Sequence, residues 1–563
     1  MKNILKIFVL TAVVSFTSCE GELEIPIQSA IASKDVPLNA EFIETQVVSA
    51  YGVLDGHIPG ILMWGAAASN WIYGEVASDN AYKGSDAGDQ PDITAFERYE
   101  GFPASAYMEG KWRAVFEGVS RANLGIDAVH RGLEAGTLTE SQANSFLGEL
   151  RFLRGHYHFE AKKMWNNVPY IDETVSESVS NVGVDVWLGI EEDFSFAVEN
   201  LSDVSVRNGG ATSWSAKAYL AKTHMYQNDY PAAKTMLNDV INNGPYGLNQ
   251  VFQHNFNYEY NNSMESVFAV QFSVNDGSNT SLNGNWGEVL NFPQGGLPGG
   301  CCGFFQPSQN LVNAYKTDQN GLPLIGSFNE NDVTNDEGLS GDDSFTPYQG
   351  NLDPRLDWTV GRRGIPFMDW GIFPGAPWVR DPSNGGPYVQ KKFTYYKSQE
   401  SAGAGDAFST SINNINVNII RFAEVLLWRA EIASIEGDLE MAKTLVNQVR
   451  ERAANPVNFV RNDDGTPAAN YVVGLYENFP NQEFALEAVY FEHRLELALE
   501  GHRFFELVRT DRAAEILNEY LAEEGTKRSY LSGASFGPHA EYFPIPQNII
   551  NLSGGVLQQN SGY

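Results

Sequence analysis

Asp79 opens the run Asp79-Asn80-Ala81-Tyr82-Lys83-Gly84, with Trp71 and Tyr73 just ahead of it. Carboxylates and amides exchange hydrogen bonds with hydroxyls, and ring faces cover apolar C–H surfaces. The mixture therefore suits a neutral, hydroxyl-rich ligand, and the loop Asp55-Gly56-His57 could join it. Further along, Arg363, Arg380, Trp370, Tyr395 and Tyr396 offer guanidinium forks, rings and hydroxyls of the same kind. Trp286 and Trp358 add two more rings. For each of these residues the competing expectation is plain packing.

Apart from Cys19, the chain's cysteines are the adjacent pair Cys301-Cys302. Neighbouring Cα atoms sit about 3.8 Å apart, below the roughly 4.4–6.8 Å a disulfide usually spans, so joining them closes a tight eight-membered ring. Gly299, Gly300 and Gly303 allow the unusual backbone that this requires. A vicinal disulfide forming a stiff apolar knuckle at the site is expected, with two free thiols as the alternative.

Catalytic and metal patterns are poor. Gly533-Ala534-Ser535-Phe536-Gly537 fits G-x-S-x-G in letters, but Pro538 follows and no acid-then-histidine order remains downstream. His156 and His158 stand two apart on a helical stretch and point away from each other, unlike metal ligands four apart. No spacing selects a glycosidase pair from the 70 acids. The acidic run from Asn331 to Glu337 lacks the EF-hand order and reads as a solvated loop rather than a Ca²⁺ site. No catalytic residue, metal or cofactor is expected.

These residues sit in a chain of 563 with 43% hydrophobic and 19% charged residues, enough for a large core and unlike a disordered polymer. Lys and Arg total 37 against 70 Asp and Glu, a formal charge of -33, which excludes an electrostatic partnership with nucleic acid. Lys2 and the mostly apolar stretch from Ile4 to Phe16 are too short to span a bilayer and read as a secretory leader over 1–18. Phe16-Thr17-Ser18-Cys19 resembles a bacterial lipobox in which Cys19 is acylated, so attachment to a membrane is expected through lipid alone. Glu20, Glu22 and Glu24 then begin an acidic tether over 19–40, which resembles the surface-export signal of Bacteroidetes lipoproteins. An exported location also favours the disulfide.

Residues 41–250 read as the first helical part. Lys111 to Val129 carries an amphipathic stripe broken by glycine, and Phe146 to Trp165 a second helix. Trp214 to Ile241 reads as two helices split at Asn228-Asp229-Tyr230-Pro231. Tyr219, Ala221, Asp229, Ala233, Leu237 and Val240 recur 209 positions later as Trp428, Ala430, Asp438, Ala442, Val446 and Val449. Small residues flanking an acidic turn let two helices approach closely, the logic of tetratricopeptide hairpins. Between these copies, residues 251–415 are rich in Gly, Pro, Asn and Asp, hold Trp286, Trp358, Trp370 and Trp378, and are the expected ligand-binding part. Residues 416–563 return to helices.

Four blocks then resemble the SusD/RagB family of outer-membrane nutrient-uptake lipoproteins. They are Gly148-Glu149-Leu150-Arg151-Phe152-Leu153-Arg154 with Trp165 and Val168-Pro169, the stretch from Asn418 to Leu427 with Ala430-Glu431, the stretch from Glu496 to Arg509, and Phe543-Pro544-Ile545-Pro546 with Gln559-Asn560-Ser561-Gly562-Tyr563. Gln306-Pro307-Ser308 and Asp353-Pro354-Arg355 add to them. Gly155 and Ser561 depart from the family's usual alanine and proline. The resemblance implies a mainly α fold, tetratricopeptide-like hairpins packed against a large irregular region, with 41–563 as one unit. It also implies a non-catalytic lipoprotein on the outer-membrane surface. Such a protein captures a glycan and passes it to a SusC-like TonB-dependent transporter. The alternatives are a lipid-anchored glycoside hydrolase, a peptide-binding member of the same family, and a helical scaffold that binds only protein.

Overall fold

The computed structural model describes residues 37–295, 298–405 and 411–563. The expected leader, Cys19 and nearly all of the tether lie outside them. The helices that frame the molecule are α1 (Ala40–Tyr51), α2 (Ala106–Glu134), α3 (Glu140–Trp165), α4 (Val186–Asn200), α5 (Ser213–Tyr226), α6 (Tyr230–Asn243), α7 (Phe422–Glu436), α8 (Leu439–Ala454), α9 (Gln482–Leu497), α10 (Arg503–Arg509) and α11 (Ala513–Lys527). No helix among the described residues is long and apolar enough to cross a membrane.

The sequence marks the helix starts. Ser105 accepts from the Tyr107 N–H ahead of α2, and Thr139 and Gln142 form a reciprocal capping box at α3. α2 and α3 can lie close because Gly118 faces the Tyr157 ring, where a β-carbon would sit 2.4 Å from its carbons. The two repeat copies are the hairpins α5–α6 and α7–α8. Asp229 and Asp438 cap their second helices with φ, ψ of -81°, 70° and -82°, 71°. Both are preceded by a left-handed residue, Asn228 and Gly437. Ala221, Ala233, Leu237 and Val240, like Ala430, Ala442, Val446 and Val449, are completely buried. Although residues 244–421 intervene, α6 packs directly on α7, so α2 to α9 form a continuous stack.

The intervening chain is mostly turns and helices of six residues or fewer. Three two-stranded antiparallel sheets brace it, one of them reaching outside it to residues 81–84. They use β1 (Ala81–Gly84), β2 (Ser266–Val270), β3 (Phe304–Pro307), β4 (Val360–Gly361), β5 (Val389–Gln390) and β6 (Val417–Arg421), paired β1–β3, β2–β6 and β4–β5. The acidic loop expected to be solvated is largely exposed, with Val333 and Asp336 buried, and is also tied down. Asp332 pairs with Lys527 at 3.3 Å and Glu337 with Arg528 at 2.5 Å, while Asp336 lies buried 3.7 Å from Arg363. Cations on other elements reach over and hold it.

Where stack and loops meet, ten charges are buried together. Arg355, Lys392, Arg421, Arg450 and Arg452 face Glu265, Asp353, Glu492, Glu496 and Glu500, in equal number. Arg421 holds Glu265 at 2.8 Å, Glu496 at 2.5 Å and Glu500 at 2.8 Å. Arg355 grips Asp353 at 2.7 Å and Glu496 at 2.9 Å, and Arg452 also pairs with Glu496. Burial opposes ionisation of Glu496, but Arg452, Arg421 and Arg355 overcome it and hold its carboxyl well below the ordinary range. A depressed carboxyl contributes stability above the unfolded pKa that is lost as pH falls. Glu496→Ala should therefore cost about 3–5 kcal/mol in urea unfolding near neutrality, because three guanidiniums lose their shared anion. A loss under about 1 kcal/mol would show that the network does not hold the two halves together.

Candidate functional site

Three chain segments converge on the residue 281–303 loop. On one side lies the loop 55–66. The His57 ring bonds the backbone at Leu282, and the turn Met63–Ala66 packs on the turn Trp286–Glu288. On another side Ser411 donates to the carbonyl oxygens of Gly299 and Cys301 at 3.3 and 3.4 Å. On the third, the Gln294 N–H donates to the Trp378 carbonyl at 3.1 Å. At the centre Cys301 and Cys302 are disulfide-bonded. Cys301 is half-buried and Cys302 almost covered; on the converging segments His57, Trp64, Trp286 and Trp378 are half-buried and Leu282 is 46% exposed. Beside the 60–62 backbone a hollow of about 390 Å³ opens against the first turns of α2.

Several residues singled out as ligand contacts lie beneath this face and hold it. Trp71 is fully buried and its indole donates to the Gly287 carbonyl at 3.1 Å. Tyr73, 1% exposed, donates to the Gly65 and Tyr107 carbonyls. Tyr395 is buried, packs edge-on against Trp370 and at a tilt against Phe292, and Trp370 donates to the Tyr395 carbonyl at 2.9 Å. Arg363 reaches the carbonyls of Ser340, Gly341 and Asp343. Arg380 is spent on Asp86 and Asp89, both at 2.6 Å. Tyr396 caps a short turn, and the Trp358 indole donates to the Asn458 carbonyl at 2.7 Å. For Trp71, Tyr73 and Tyr395 the expected ligand contact gives way to framework, since no ring face reaches solvent. Asp55, half-buried, accepts from the His57 N–H at 2.7 Å and shapes that loop.

Asp79 belongs elsewhere. Arg503 grips it through two bonds of 2.8 and 2.9 Å, and Arg494 adds a third contact at 3.1 Å. Burial raises its carboxyl, but Arg494 and Arg503 more than offset that and hold it at about 2. It lies on the floor of a separate cleft of about 500 Å³ between α9, α11 and the 325–330 loop, rimmed by Glu487, Tyr490, Arg512 and Glu519. Its carboxylate is thus saturated by arginine. Trp64 and Leu282, which lie on the converging loops, carry no sequence signal of their own because a lone apolar side chain in a loop has no periodicity. The apolar run Ile61-Leu62-Met63-Trp64 outside any helical stripe was the available signal.

Two other expectations concern histidine. His156 and His158 are both buried; the first meets the Tyr219 hydroxyl at 2.6 Å, the second accepts from the Ile171 N–H. Burial pushes each down to about 4. Both are packing residues.

A profile described as the SusD family matches residues 264–563, and one described as starch-binding associating with outer membrane matches 61–225. SusD-like protein P38 of Formosa agariphila is 24% identical over 539 residues, covering 92% of this chain and 93% of that one. A SusD-like protein of Bacteroides ovatus is 30% identical over 181 residues, 29% and 33% of the two chains. Among solved structures, a laminarin binding SusD-like protein superposes with a TM-score of 0.68 at 23% identity, covering 93% and 100%. Surface glycan-binding protein A from Bacteroides thetaiotaomicron, in complex with laminarihexaose, gives 0.63 at 21% identity, covering 92% and 99%.

Glu288 offers a direct test of how the face is supported. It is completely buried, takes hydrogen bonds from Ser69 and from Asn291 at 2.6 Å, and burial lifts its carboxyl to about 6 against those two donors. A raised carboxyl makes the folded state bind more protons, so stability falls as pH rises through that interval. Glu288→Gln removes the buried charge, and the unpaired Oδ1 of Asn291 can accept from the new amide. The variant should melt higher than wild type at pH 8, by about 1–2 kcal/mol at most, and lose that advantage at pH 4.5. An equal melting difference at both pH values would contradict it. Alkylation of the unreduced protein should also leave Cys301 and Cys302 unmodified, and labelling of both would refute the bond.

Proposed function

We propose that this chain, which belongs to the SusD family, is a surface glycan-binding lipoprotein anchored through Cys19 that captures oligosaccharide and delivers it to a SusC-like TonB-dependent transporter. Members of the family are non-catalytic glycan-binding proteins. The observation that carries the reading is the family match over residues 264–563, which takes in the disulfide and most of the loop region up to α7. The loops that carry the disulfide are the assigned ligand surface: their half-buried rings can cover a sugar's C–H faces, while loop backbones and His57 bond its hydroxyls. Weak affinity at one such site suffices when the binder is tethered beside its transporter.

Laminarin is the first ligand to test, because two solved relatives are described with laminarin or laminarihexaose. Calorimetry with a polysaccharide panel should show binding without release of oligosaccharides. Trp286→Ala should weaken it about tenfold or more, by loss of a ring platform. Released sugar would defeat the non-catalytic reading. Full affinity in Trp286→Ala, with loss in Arg512→Ala, would move the site to the cleft above Asp79.

A further inference from the structure

One cluster outside both surfaces is chemically unfinished. Glu424 on α7, His493 on α9 and Glu506 on α10 bring a carboxylate oxygen, an imidazole nitrogen and a second carboxylate oxygen within 4.8 Å of one another. Glu424 is completely buried, and both of its oxygens lack a hydrogen-bond partner; His493 is 8% exposed and its Nε2 lacks one too. Buried acceptors left this way are costly, so a cluster of them is an invitation to a cation. We propose that Glu424, His493 and Glu506 bind a divalent transition-metal cation such as Zn²⁺.

The donor set is one imidazole and two carboxylates with no thiolate, which suits Zn²⁺ or its neighbours rather than a soft ion. Bonds of about 2.0–2.2 Å would draw the three donors roughly 1 Å closer together, a movement within reach of side-chain rotation. His502, whose Nδ1 lies 3.5 Å from Glu424, is placed to serve as a fourth ligand. Lys222 stands 3.6 Å from Glu424, but its ammonium also reaches the Ile419 carbonyl and lies 5.3 Å over the Trp428 ring, so it has a seat when the carboxylate turns to the metal. Arg509 holds one oxygen of Glu506 at 2.6 Å and orients the other as an outer partner does in metal sites. The site would join α7 and α9 of the helical stack to α10.

The test uses the whole exported chain stripped with EDTA and then titrated with ZnCl₂, with MgCl₂ and CaCl₂ as controls. One Zn²⁺ per chain should bind and raise the melting temperature, and neither alkaline-earth ion should. His493→Gln should weaken binding by about tenfold or more, and Glu424→Gln similarly. Crystals soaked in Zn²⁺ should show an anomalous peak between the three side chains, a readout that does not depend on the variants folding. Absence of binding, unchanged affinity in His493→Gln, or a peak elsewhere would overturn the proposal.

Discussion

Ten buried charges govern how this chain assembles. Each of the five cations and five anions around Arg421 and Glu496 has been stripped of water, and such a loss is offset only when the partners arrive in good geometry. The partners come from distant places: Glu265 before β2, Asp353 and Arg355 from the loop half, Arg421 at the end of β6, Arg450 and Arg452 from α8, Glu492 and Glu496 from α9. Glu496 alone is shared by Arg355, Arg421 and Arg452, which arrive from three different segments. The constraint couples the irregular region to the helices more strongly than the short sheets do, and it makes partial docking of the loops unfavourable. Arg450 extends the grip by donating to the carbonyls of Gly321 and Gly474.

Much of this frame was legible beforehand. The 209-residue offset picked out two hairpins whose capping aspartates have nearly the same backbone angles, because a hairpin of close helices demands small residues and a capped turn at fixed positions. The recognised blocks were sound for a related reason, as they turn out to be each other's partners. The Asn560 amide donates to the Trp165 and Phe543 carbonyls, and the Phe543 N–H to that of Met164, so the C-terminal motif fastens the end of α3. Asp353, Arg355, Arg421, Glu496 and Glu500, from three of the other blocks, sit in the buried network.

The surface was harder to read. A strand or helix betrays its inner face by its period, but loops have none, and Trp71, Tyr73 and Tyr395 look the same in sequence whether a ring faces solvent or core. What decided their fate was a demand invisible in the string of letters. Each places a polar ring atom or backbone carbonyl against a loop that would otherwise leave buried groups unpaired, as Trp71 does for Gly287. Asp79 was similarly claimed by Arg503, a residue more than four hundred positions away. Only the cysteine pair announced its position, since bonding between adjacent residues needs no tertiary information.

The pairing of Ser266 with Arg421 brings the two margins of the irregular region side by side, just where α6 meets α7. The helical stack therefore runs on beneath that region, and the segment leaves and rejoins it at neighbouring points. Stretches of the segment between its anchors, which include the β1–β3 pairing and the Glu337–Arg528 bridge, can lengthen, shorten or change contour while the stack keeps its course. Diversification of the recognition loops can thus proceed without redesign of the scaffold, provided that the few residues reaching down to the charged seam are kept.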